Sequence, residues 1–187
     1  MRERPILFSG QMVRAILDGN KTQTRRIVKP PPELKDGGLS WKGWEYFTAE
    51  NMGASAHCPF GNPGDRLWVK ETFFDTDNFR NTPIFAHRDR FIYRVDDEFI
   101  GCHHWKPSIH MPRCASRITL EIVSVRVERL QEISEHDAKA EGVEPAECCL
   151  AHYHGFSLLW QSIYTKPGQT WDDTPWVWVV EFKRLAA

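Results

Sequence analysis

No stretch of this chain approaches the ~20 consecutive apolar residues that a membrane-spanning helix needs. No apolar leader opens it either, so neither a membrane span nor export is expected. Excess charge is also missing. The 24 Lys and Arg against 25 Asp and Glu leave a formal net charge of −1, which excludes a protein that coats nucleic acid by bulk electrostatics. Local basic clusters remain able to grip one nucleotide or a short strand. Cysteine is scarce, with five residues at irregular spacing, an odd count that fits no disulfide framework. These absences lead to the expectation of a soluble, reduced, cytoplasmic protein with no membrane partner. There is no internal repeat.

What is present is enough chain for a single domain spanning residues 1–187, whose 187 residues can bury a core without disulfide or metal staples. The eight tryptophans are unusual and imply a heavily aromatic core or a site that stacks flat ligands. Pro5 to Phe8 suits a first strand. Ser9 can cap a helix with Met12, Val13, Ile16 and Leu17 on one stripe, ending at Gly19. Pro30-Pro31-Pro32 stops regular structure. Two insertions are expected, at about 30–60 and 75–115, the first a glycine-rich loop with scattered aromatics (Trp41, Trp44, Tyr46, Phe47).

Between and beyond the insertions the pattern is clearer. Gly61 to Asp65 is a turn signal, and Arg66 to Glu71 alternates as a strand. Phe91 to Val95 suggests another, and Cys102 to Arg113 an ordered loop. Ile118, Leu120 and Ile122 share a face, then Val123, Val125 and Val127 continue after a one-residue phase shift of the kind a β-bulge produces. Ser134 opens a capped short helix to Gly142. Phe156 to Ile163 marks a further helix, and Trp176 to Phe182 the last strand. The expected fold class is α+β: a small, mostly antiparallel barrel or curled sheet flanked by helices.

Asp18-Gly19-Asn20-Lys21-Thr22-Gln23-Thr24-Arg25-Arg26 has a composition that no core needs. A lysine three residues before a threonine can bring an amine to a hydroxyl, one way to activate a weak nucleophile. Arg25 and Arg26 supply planar donors for an anion or polar heterocycle. The plain alternative is a solvated basic turn entering a strand. Glu141, at a helix C-terminus, opposes the helix dipole, an unfavourable place for a decorative carboxylate. Folded back beside Lys21 and Thr24, it would complete a base, nucleophile and proton-shuttling group; otherwise it is an exposed helix-end charge.

Arg113 and Arg117 flank Ser116 at the mouth of the long strand, where they either pair with charges at the sheet edge or contact a phosphate or nucleobase edge. Trp68, Trp176 and Trp178 read as core packing or base stacking, and Glu71 closes the Trp68 strand as a further candidate contact. The competing chemistry is Cys102-His103-His104, His110, Cys114 and Cys148-Cys149-x-x-His152-x-His154. None has the paired spacing of a zinc ribbon or finger, so no metal is expected.

Taken in order, these segments resemble the ASCH family, a branch of the PUA-like β-barrels. The residues are Ile16 to Gly19 followed by Asn20 to Arg26; Pro63-Gly64-Asp65-Arg66-Leu67-Trp68-Val69; Ile118 to Val127; Glu135 to Gly142; and Trp178 to Phe182. The extra length is similar to that of larger members found in phages and prophages. The resemblance implies a PUA-like barrel and an N4-acetylcytidine amidohydrolase without cofactor. In it Lys21 deprotonates Thr24, Thr24 attacks the amide carbonyl, and Glu141 moves protons to the leaving cytosine amine. Arg25, Arg26, Trp68, Glu71, Arg113, Ser116 and Arg117 would bind the substrate, a modified nucleoside or nucleotide. Two other readings stand beside it: an RNA-binding or ribonuclease-like module gripping phosphates through its arginines, and a zinc-dependent hydrolase built on the His and Cys loops.

Overall fold

The computed structural model describes residues 1–35, 38–41, 44–47, 58–77, 90–96 and 105–185. Its centre is a five-stranded mixed sheet. The strands are β1 (Glu3–Leu7), β2 (Gln23–Ile27), β6 (Arg66–Lys70), β9 (Thr119–Arg129) and β10 (Trp176–Arg184), in the order β1-β6-β9-β10-β2. β1 and β6 run parallel, and the other three pairings are antiparallel. Alternation decides what each strand buries. Leu67 and Val69 of β6 are fully covered while Trp68 between them stays half-buried.

The sheet is packed on both faces. α1 (Gly10–Leu17) sets Val13 and Ile16 against Ile6, Leu67, Leu120, Ile122, Trp178 and Val180 on one side. On the other, α2 (Glu135–Ala140) and α3 (His152–Ile163) bring Ala138, Phe156 and Trp160 onto Val177 and Val179. Residues 177 to 180 of β10 are thus buried on both sides, which is why that strand reads as a continuous apolar run. Burying each such Val or Trp side chain contributes about 1.5–3 kcal/mol.

The phase shift read in β9 is real. Glu181 pairs with Ser124 and Phe182 with Ile122, so Val123 is the extra residue, and it is pushed outward and exposed. The bulge lets Ile122 and Val125 enter the same core from non-alternating positions. Ser9 caps α1, its hydroxyl accepting from Met12 N, and Ser134 caps α2 by accepting from Asp137 N. α3 begins four residues earlier than its apolar pattern, because the Glu135 carboxylate accepts from His152 N (2.6 Å) and Tyr153 N (2.8 Å) and so supplies its N-terminus.

Two expectations need correction. The sheet is open rather than a closed barrel. The chain just before β2 is held by the end of α2: Lys21 bridges Glu141 in antiparallel fashion, and Thr22 N donates to Ala140 O (2.9 Å). The first insertion is not simply a loop. Within it β3 (Glu33–Lys35), β4 (Gly38–Trp41) and β5 (Trp44–Phe47) form a small antiparallel sheet, as the strand preference of Trp, Tyr and Phe allows despite the glycines. In the second, β7 (Phe73–Asp75) pairs with β8 (Phe91–Tyr93), shorter than the strand read to Val95, since residues 94–96 turn. Cys102-His103-His104 and most of 78–104 lie outside the described residues.

Candidate active site

Two left-handed glycines place the central side chains. Gly19 (φ 78°) follows α1 and turns the chain so that Asn20 N and Lys21 N both donate to Ala15 O (2.8 and 3.0 Å). Gly142 (φ 72°) follows Glu141 and packs on the same spot. A Cβ there would lie 2.7 Å from Lys21 Cβ and 2.8 Å from Ala15 Cβ. Gly142→Ala therefore combines a disfavoured backbone with a clash against the lysine, and should cost about 1–3 kcal/mol. The check is a lower denaturation midpoint at unchanged slope.

Lys21 is 2 % exposed and Glu141 3 %. Lys21 Nζ donates to Glu141 Oε2 (2.8 Å) and to Glu141 O (2.7 Å). The other carboxylate oxygen, Oε1, accepts from Arg25 Nη1 at 3.1 Å. Arg25, also 2 % exposed, continues to Glu128 Oε1 (3.0 Å from Nε, 2.6 Å from Nη2) and Asp137 Oδ2 (3.3 Å). Arg126 then joins Glu128, Asp137 and Glu181. Three cations thus face four carboxylates, and the paired charges make burial tolerable.

Thr24 is fully buried, and its Oγ1 accepts from Arg26 Nη1 at 2.8 Å. Arg26 also donates to Leu7 O (2.9 Å) and lies over the Phe8 ring (5.3 Å). A guanidinium can only donate, so Arg26 occupies a Thr24 lone pair and leaves the hydroxyl proton free to be given up. Lys21 and Glu141 are joined directly, whereas Thr24 is held by Arg26, whose guanidinium lies over the same Phe8 ring as Lys21 Nζ. Lys21 Nζ and Thr24 share no hydrogen bond: the amine is held by Glu141.

Burial pushes the Lys21 amine below its ordinary value; Glu141 opposes that shift, while Arg26 and Arg25 add to it. For Asp137, burial works upward, but Arg25 and Arg126 hold its carboxyl below the usual range.

No family model, curated protein or solved structure matches this chain. The site is therefore read from its own geometry.

The remaining sequence candidates form other contacts. Arg117 grips Glu71 in a two-pronged pair (3.0 Å each), reaches Asp96, and stacks on Tyr93 at 3.9 Å. Ser116 Oγ donates to Val69 O (2.8 Å), Arg113 pairs with Glu3 (3.0 Å), and Lys70 Nζ sits 5.4 Å from the Trp68 ring. Among the described residues no hydrogen bond or ion pair links this group to Lys21, Thr24 or Glu141. Trp178 is core; Trp176 packs beside it under Arg129. Among the described residues, no three His, Cys, Asp or Glu side chains are arranged to hold a metal ion, and no helix is long and apolar enough to cross a membrane.

Sequence reasoning missed the walls. A cavity of about 360 Å³ opens beside Glu141, lined by Arg25, Arg26 and Glu141 together with Phe8, Phe156, Leu159, Trp160, Ile163 and Tyr164; Lys21 and Thr24 are not part of its lining. The signal was in α3, where Phe156, Leu159, Trp160 and Ile163 form one stripe at helical spacing, of which Phe156 and Trp160 are buried while Ile163 stays exposed.

Proposed function

We propose that this protein is an amidohydrolase that removes the acyl group from N4-acylated cytosine nucleosides, N4-acetylcytidine in the first instance, and that its sheet and helices are a PUA-like core of the ASCH type. The observation that carries the reading is the sealed contact of Lys21 with Glu141, whose own residue borders a mainly apolar cavity. A buried amine with a lowered proton affinity can act as a base near neutrality, where an exposed lysine is almost wholly protonated. Arg26 beside Thr24 Oγ1 would stabilise negative charge developing on that oxygen. Glu141, touching the amine, would pass a proton to the leaving nitrogen.

The RNA-binding reading draws less support, because Arg25, Arg113 and Arg117 already face carboxylates rather than open surface.

The test is release of cytidine and acetate from N4-acetylcytidine in the presence of a chelator. Turnover is expected. Its absence at high enzyme concentration would remove the assignment, and loss on chelation alone would favour the zinc reading. A pH profile adds a second check. Neutral Lys21 is the active form, so kcat/KM should rise with pH and level off below the ~10.4 of an ordinary lysine. A rate still climbing beyond that value would sink Lys21 as the base.

A further inference from the structure

Glu141 stands where two differently lined spaces meet. On one side is the apolar cavity of about 360 Å³, and on the other a wider groove of about 1080 Å³. The groove is bordered by Asn20, Thr22, His136, Lys139 and Glu144, side chains that suit a polar ring and a sugar. The cavity is lined mostly by aliphatic and aromatic side chains, with Ser9, Arg25, Arg26 and Glu141 as its polar members. Glu141, with Ser9, Met12 and Leu159, borders both.

An N4-acylcytosine nucleoside has the same division: a polar base and sugar on one side of the amide nitrogen, an acyl group on the other. We infer that the base and sugar lie in the groove and the acyl group in the cavity, and that the preferred substrates carry an aromatic or comparably large apolar acyl group rather than acetyl. This rests on the amidohydrolase reading and adds the identity of the acyl group to it. The cavity is more than ten times the ~30 Å³ share of one water molecule, far more than a two-carbon acyl group fills. Its lining is mainly apolar, with Leu7, Met12, Leu159, Ile163 and Tyr164 giving the more exposed surface, which a phenyl ring covers better than an acetyl group does.

The chemistry is unchanged by the acyl group. Thr24 Oγ forms a bond to the acyl carbon, Lys21 takes the hydroxyl proton, and the C–N4 bond breaks as the amine gains a proton through Glu141. Water then attacks the threonyl ester, which releases the carboxylic acid and restores the hydroxyl. The sum is amide plus water giving cytidine plus acid.

The experiment compares kcat/KM for N4-acetylcytidine and N4-benzoylcytidine, in the natural sequence and in Ile163→Trp. Ile163 borders the cavity yet is 52 % exposed, so the larger ring can narrow the space without repacking a core. The expected result is a benzoyl preference of roughly tenfold or more that falls severalfold in Ile163→Trp. Acetyl hydrolysed as fast as benzoyl, or a preference untouched by the substitution, would overturn the acyl assignment and leave the amidohydrolase standing. Hydrolysis of neither substrate would overturn both.

Discussion

Lys21→Met should lower the rate of N4-acetylcytidine hydrolysis by ~10²–10⁴, the range that a positioned base contributes, while moving the melting temperature little. Methionine keeps the apolar stem while removing the amine that lies over Phe8, and the carboxylate it leaves behind still has Arg25 as a partner. Burial already disfavours the charged amine, so its removal relieves one cost as it forfeits one ion pair. Single-turnover kinetics and a thermal melt on the same preparation separate the two effects. A variant that retains activity would reject Lys21 as the base, and one that loses activity only because it unfolds would show a collapsed melt.

Glu141→Ala should have the opposite balance, with stability hit hardest. It strips the carboxylate from Lys21 and from Arg25 Nη1 in a space from which water is excluded. Breaking a buried pair from one side costs about 3–5 kcal/mol, which for a chain of this size lowers the melting temperature by roughly 6–20 °C. The pH dependence has a definite sign. Glu141 is the group that raises the lysine against burial, so without it the folded-state value falls further. Between that value and the unfolded one the unfolded chain binds more protons, and stability rises with pH. The variant should therefore keep losing stability as pH falls, through a range where the natural protein has levelled off. Pairing Glu141→Gln with Lys21→Met should cost less than the sum of the single changes, because neither partner then remains as an orphan.

The local parts of this arrangement were legible in the sequence. Ser9 and Ser134 announce their helices, Gly19 and Gly142 their ends, and the shift at Val123 its bulge, because each is a short-range rule of backbone geometry. The pairing of Lys21 with Glu141 was legible in part through the oddness of a glutamate at a helix end. What could not be read was long-range partnership. Arg117 with Glu71 is 46 positions apart and Arg113 with Glu3 is 110, and composition does not say whether an arginine beside a strand faces a ligand or a carboxylate of its own chain. The aromatic wall escaped for a related reason. The stripe of α3 reads as wholly core-facing until its end, at Ile163, is seen to remain exposed.

Holding the entry to β2 against the end of α2 has a consequence for how the protein behaves in concentrated solution. An uncovered edge strand is a template onto which another chain can add. Here the approach to the edge strand β2 is taken up at Lys21 and Thr22 by the α2 terminus. The other side, β1, is five residues long with Pro5 at its centre and charged Glu3 and Arg4 before it, and a proline removes one of the few donors that an incoming strand would need. The contact that assembles the reactive groups thus also guards the sheet against lateral growth. Variants that loosen Glu141 from Lys21 should for that reason aggregate sooner on mild heating than their loss of stability alone would suggest.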